Sequence, residues 1–128
     1  MINFPEMISD FLKYKYTFEK HSKDIISLLK REFQDEIYTW EAFGTYSLND
    51  TGIIIKRKDS KEKYSKRARV LVCTNLNLNI SLLNGVEDNE DLESEIIHSS
   101  SSYPLYSDDI EKYISKKILS IKEFLRDV

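Results

Sequence analysis

Eight cationic side chains crowd one short stretch of the chain: Lys56, Arg57, Lys58, Lys61, Lys63, Lys66, Arg67 and Arg69. Only Asp59 and Glu62 oppose them there. A cluster of this kind has two chemical uses. It can neutralise phosphates and release their counterions, with Tyr64 available to stack on a base. It can also face carboxylates on a protein and speed encounter with that partner. An acidic run follows it. Residues 70–111 contain no lysine or arginine and nine acids, among them Glu87, Asp88, Glu90 and Asp91. The charge is −3 over residues 1–55, +6 over 56–69, −9 over 70–111 and +3 over 112–128. The third reading is that both runs are solvated or lie against each other, because exposed ion pairs contribute only about 0–1 kcal/mol each. Nucleic acid ranks below protein as a partner. The chain is acidic as a whole, with a pI of about 5.5, and nine acids downstream repel a phosphate backbone unless they point away.

Other chemistry is poorly supplied. The three glycines, Gly44, Gly52 and Gly85, form no phosphate-cradling loop. Two histidines and one cysteine are too few for the usual zinc sites. Cys73 stands in an apolar stretch and reads as a small hydrophobe rather than a nucleophile paired with His21 or His98. The acidic run lacks the central glycine and alternating ligands of a calcium loop. Asp108 and Asp109 suit the start of a helix better than an acid–base pair. The sequence therefore predicts no catalytic constellation, no cofactor and no metal.

The elements that must position these charges follow from periodicity. Residues 5–35 read as helix, with Pro5 in the first turn and Met7, Phe11, Tyr14, Phe18, Ile25, Leu28 and Leu29 along one face. Ser22 could cap a second helix, so one long helix and two shorter ones both remain open. Residues 37–48 read as a strand, "NDTG" at 49–52 as a turn, and "GIIIKRK" as the return strand of a hairpin. Tyr38, Trp40, Phe43 and Tyr46 read as core, with an apolar ligand pocket near Trp40 as the sharper alternative.

From Ala68 to Leu82 the even positions are apolar or Thr74, and the odd ones include Arg67, Arg69, Asn75, Asn77, Asn79 and Ser81. That alternation predicts a long strand with one buried face, split by a bend or bulge around Thr74–Asn77 with little change of parity, and paired with 53–58 across a loop near 59–65. The stretch after Ile80 is a candidate open edge for dimerisation. Residues 84–95 read as an exposed loop, 96–98 as a short strand and "SSSSYP" at 99–104 as a linker. Ser107 is placed to cap a last helix with Ile110, Ile114, Ile118, Ile121 and Leu125 as its buried stripe.

These elements add up to a single α+β domain over residues 1–128: an antiparallel sheet of four or five strands, an N-terminal helix or helix pair, and a C-terminal helix. With 128 residues a core can form without metal or disulfide. A lone cysteine, no export signal and no long apolar run point to a cytoplasmic setting without a membrane. The expected function is a non-enzymatic protein-binding module of the inhibitor, immunity or chaperone type. Its expected contacts are the eight cations above together with Glu87, Asp88, Glu90 and Asp91. Nucleic-acid binding through residues 56–69 is the alternative, and self-association through the sheet edge is a further option.

Overall fold

The computed structural model describes residues 4–44, 51–59, 65–85 and 95–126. Helix α1 (Phe4–Glu32) leads into strands β1 (Tyr38–Phe43), β2 (Thr51–Arg57), β3 (Ser65–Val72), β4 (Asn77–Gly85) and β5 (Glu95–Pro104), and helix α2 (Ile110–Arg126) closes the order. The strands form one antiparallel meander in the order β1-β2-β3-β4-β5. The α+β class, the helix at each end and the antiparallel sheet match the expectation from sequence, and the sheet has five strands.

Both helices share one core with one face of that sheet. Ile53 and Ile55 from β2, Ala68, Val70 and Val72 from β3, and Leu78 and Ile80 from β4 meet Ile25, Ile26 and Leu29 of α1 and Ile114, Ile118, Ile121 and Leu125 of α2. Register explains the alternation. Val70 pairs with Ile53 on one side and Ile80 on the other, so the apolar positions line up across strands. The far face of the sheet carries no described helix.

Several elements differ from what the sequence predicts. The break expected near Thr74–Asn77 is a full reversal rather than a bend or bulge. A turn at 73–76 separates β3 from β4, closed by Cys73 N–H donating to Asn77 O at 2.8 Å and Leu76 N–H to Cys73 O at 3.0 Å. The parity survives because Val72 pairs with Leu78, even opposite even. Leu76 takes a left-handed backbone, φ 63°, without being glycine. Its side chain packs against the core and its carbonyl accepts Leu105 N–H at 2.9 Å, which holds it there. β4 is paired on both sides, so the stretch after Ile80 is no open edge.

The linker expected at 99–104 is instead part of β5. Its serines bond sideways: Asn79 Nδ2 donates to Ser102 Oγ at 3.2 Å, and Ser81 and Ser100 hydroxyls lie 3.2 Å apart. The β4–β5 register shifts between Leu82 and Leu83, which opposes Leu82 to Ser99 and Leu83 to Ile97. Thr51 and Gly52, expected in a turn, begin β2, and the rest of that turn lies outside the described residues.

α1 is one helix, not two. Ser22 is fully buried and donates its hydroxyl to Phe18 O at 2.7 Å, one turn back, rather than capping a new start. At α2 the first helical carbonyl belongs to Asp109, which accepts Tyr113 N–H at 3.0 Å. Ser107 acts one step removed, donating to the Asp109 carboxylate at 2.5 Å, and Tyr103 O–H donates to the same oxygen. Tyr103 in turn stacks on Tyr113 with ring centroids 4.0 Å apart.

This junction carries a pH dependence. The hydrogen bonds from Ser107 first, and from Tyr103 second, hold the Asp109 carboxyl below its ordinary 3.8. The same contact to Asp109 raises Tyr103 above its ordinary 10.0. A lowered acid contributes stability above its unfolded value and loses it as pH falls through the folded one. A raised tyrosine contributes below 10.0 and loses it as pH climbs past that. NMR titration of the Asp109 carboxyl should therefore show a larger upward move in Ser107→Ala than in Tyr103→Phe. Equal or reversed moves would contradict this assignment.

Candidate binding surface

Strand pleating divides the basic run between the two faces of the sheet. Arg57 and Lys66 turn toward α2. Arg57 Nε and Nη2 donate to the two carboxylate oxygens of Asp59 at 2.9 and 2.8 Å, and Nη1 donates to the Arg126 carbonyl at 2.7 Å. A guanidinium on the last carbonyls of a helix offsets the negative end of its dipole. Lys66 Nζ sits 5.2 Å from the centroid of the Phe124 ring. These two cations anchor the end of α2 to the sheet. Lys58 is exposed just past β2, where its N–H donates to Ile37 O at 2.9 Å and extends the β1–β2 pairing.

Lys56, Arg67 and Arg69 point the other way, to the far face. Lys56 lies directly opposite Arg67 in the β2–β3 register, and Arg69 follows one pleat along, opposite Ile54. Like charges placed opposite each other on one sheet face destabilise it. The fold nevertheless sets three cations side by side. The Arg69 Nε is buried and has no hydrogen-bond partner among the described residues. A buried guanidinium N–H left without an acceptor carries a desolvation penalty.

The cations stand in apolar surroundings. Ile54 and Leu71, half-buried, share their face by register with the fully buried Leu83, and Phe43 and Ile97 flank it, 38% and 59% exposed. Asn79, Ser81, Ser100 and Ser102 supply a polar row beside them. Glu41 lies on this face too, exposed on the edge strand β1 opposite Ile54. Arginine mixed with aromatic and aliphatic side chains is the composition of a protein interface centre more than of a phosphate track.

Lys61, Lys63, Glu87, Asp88, Glu90 and Asp91 lie outside the described residues, as does Tyr64. Of the expected contacts, the described residues bring together Lys56, Arg67 and Arg69. They separate Arg57 and Lys66 from that group. The apolar frame of Phe43, Ile54, Leu71 and Ile97 was missed by attention to charge alone. The strand alternation was the signal that held it.

Trp40 is 40% exposed at the sheet edge, with Lys30 Nζ 5.0 Å from its ring centroid, which makes it a rim residue rather than the wall of an enclosed pocket. A cleft of about 190 Å³ lies elsewhere, between the sheet and α2, lined by Ile80, Leu82, Ser99, Lys117, Ser120 and Ile121. That is below the roughly 300–1,000 Å³ of typical ligand sites. Among the described residues no group of three or more His, Cys, Asp or Glu side chains is placed to hold a metal ion, and no helix is long and apolar enough to cross a membrane.

Comparison with protein-family models, curated proteins and solved structures returned no match. The functional reading therefore rests on the surface itself.

Proposed function

We propose that this chain is a non-enzymatic protein-binding module whose partner presents carboxylates within an apolar surface. The observation that carries the reading is the Lys56–Arg67 pair, held in direct register with Arg69 beside it inside an apolar frame. A cluster of cations framed by apolar side chains is complementary to carboxylates set in an apolar surface. Neutralising or chaperoning such a partner is the role that fits, and the exposed Lys58 adds a further cation at the end of β2. The acidic run, with Glu87, Asp88, Glu90 and Asp91, offers a second contact of opposite sign. A reducing, cytoplasmic setting goes with this reading, since a single cysteine, Cys73, allows no internal disulfide.

Replacing Lys56, Arg67 and Arg69 together by glutamine tests it. Affinity for a partner recovered with the wild-type protein should fall about tenfold or more while the circular dichroism spectrum is retained. Unchanged affinity in the folded triple variant would overturn the assignment. The nucleic-acid reading predicts something different: saturable binding of oligonucleotides at low salt that weakens steeply as salt is added. The protein-binding reading predicts none.

A further inference from the structure

The two halves of α1 live in different environments. From Phe18 onward its apolar stripe is buried, with Phe18 0%, Ile25 4% and Leu29 2% exposed. The first half continues the same stripe uncovered. Met7 is 55%, Ile8 59%, Phe11 52% and Leu12 56% exposed. Every residue from Pro5 to Lys13 is exposed. Phe11, Phe18 and Ile25 recur at sevens, so the uncovered face and the core face are one line along the helix. Residues 5–13 thus project about 13 Å beyond the packed part, at 1.5 Å per residue.

The geometry points to a second copy of this chain as the occupant, with the two projecting halves packed antiparallel across a two-fold axis at Phe11. Area is consistent with a modest contact. Roughly half of each of Met7, Ile8, Phe11 and Leu12 leaves on the order of 400 Å² of apolar surface, a patch of functional size on a monomer. Two such faces together bury about 800 Å², the size of a weak, concentration-dependent interface.

Charge supports the antiparallel sense. Glu6 and Asp10 come first along the helix, and Lys13 and Lys15 follow, with Lys15 also 3.9 Å from Glu19 of its own helix. An antiparallel pair sets the acidic turn of one copy beside the basic turns of the other and opposes the helix dipoles. A parallel pair stacks like on like. Bulk supports it as well. The sheet is attached to the second half of α1, so antiparallel pairing puts the two bodies at opposite ends of the shared helices. One patch then meets itself, and the assembly closes as a dimer. A lipid surface fits less well, because the polar side of this segment opens with acids rather than with the lysines of an interfacial helix.

This inference is independent of the sheet-face reading, and its test does not use that face. Light scattering of the full chain across the micromolar range should give twice the 15.1 kDa chain mass. Phe11→Asp should return it to 15.1 kDa with the melting curve of the dilute wild type, since that side chain is already half exposed. Phe11→Leu should retain the dimer. In a Cys73→Ser background, Phe11→Cys should form an intermolecular disulfide on oxidation. Met7→Cys should not link to itself, but should link to Lys15→Cys in a mixture of the two. A wild type that stays monomeric throughout, a dimer indifferent to Phe11→Asp, or preferential Met7→Cys self-linkage would each overturn the proposal.

Discussion

Replacing Phe33 by alanine should lower the free energy of unfolding by about 3–5 kcal/mol, the range for deleting a fully buried aromatic ring. Phe33 is 0% exposed just past the end of α1. Its ring meets Tyr38 edge-on at 5.0 Å, and Lys122 Nζ lies 5.5 Å from its centroid. The truncation therefore leaves a cavity and loses a ring pair that joins α1 to β1. A domain of this size has roughly 5–15 kcal/mol to lose, so the melting temperature should drop by more than about 10 °C. Phe11→Ala, on the same helix, should change stability by less than about 0.5 kcal/mol in dilute solution, where self-association does not contribute. Urea denaturation of both variants checks the contrast. Similar losses in the two would show that the first half of α1 is packed and not projecting.

The second large effect belongs to Gly52. It pairs with Phe43 on one side and Leu71 on the other. A Cβ there would stand 2.5 Å from Phe43 Cζ, 2.6 Å from the Val70 carbonyl oxygen and 2.8 Å from Leu71 Cδ2. Phe43 and Leu71 close over the bare backbone of the glycine on the far face. The Phe43 ring can swing away, but the Val70 carbonyl belongs to the β3 ladder and cannot. Gly52→Ala should therefore destabilise by about 1–3 kcal/mol, as overpacking does. Adding Phe43→Ala should recover only part of the loss, since the carbonyl clash remains. A double-mutant cycle by denaturation measures the recovered share. Full recovery would show that the ring alone sets the requirement for glycine.

Much of this fold was legible because its core obeys simple periods. The even-numbered run from Ala68 to Leu82 announced a one-sided sheet, and the Ile114, Ile118, Ile121 and Leu125 stripe announced α2. What the sequence hid had physical causes. The turn at 73–76 contains neither glycine nor proline, and it joins two strands whose even positions face the same way, so the pattern ran through it unbroken. The four serines of β5 carry no apolar signal. Backbone pairing with β4 places them in the sheet, and Ser100, Ser101 and Ser102 add side-chain bonds to Ser81, Tyr113 and Asn79. Ser22 looked like a cap because its alternative, a bond to the carbonyl one turn back, leaves no mark in composition.

The candidate surface was half legible. Composition found the cations, but a run of charge does not say which of its members share a face. Pleating assigns Arg67 and Arg69 to one side and Lys66 to the other. Only the β2–β3 register brings Lys56 to the first group and Arg57 to the second. The result is a division of labour within one basic segment. Arg57 and Lys66 hold α2 in place, and Lys56, Arg67 and Arg69 face outward with Phe43, Ile54 and Leu71 around them.

The central claim is that the far face of the sheet is where a partner binds. Photo-crosslinking from single positions, in the cells that make the protein, tests it most directly. A photoreactive residue at Phe43 or at Ile97 reports on that face, and one at Leu119, 69% exposed on α2, reports on the opposite side of the molecule. One common protein adduct is expected from positions 43 and 97, absent from position 119 and lost when Lys56, Arg67 and Arg69 are replaced by glutamine. The same adduct forming from position 119, or persisting from positions 43 and 97 after those replacements, would contradict it.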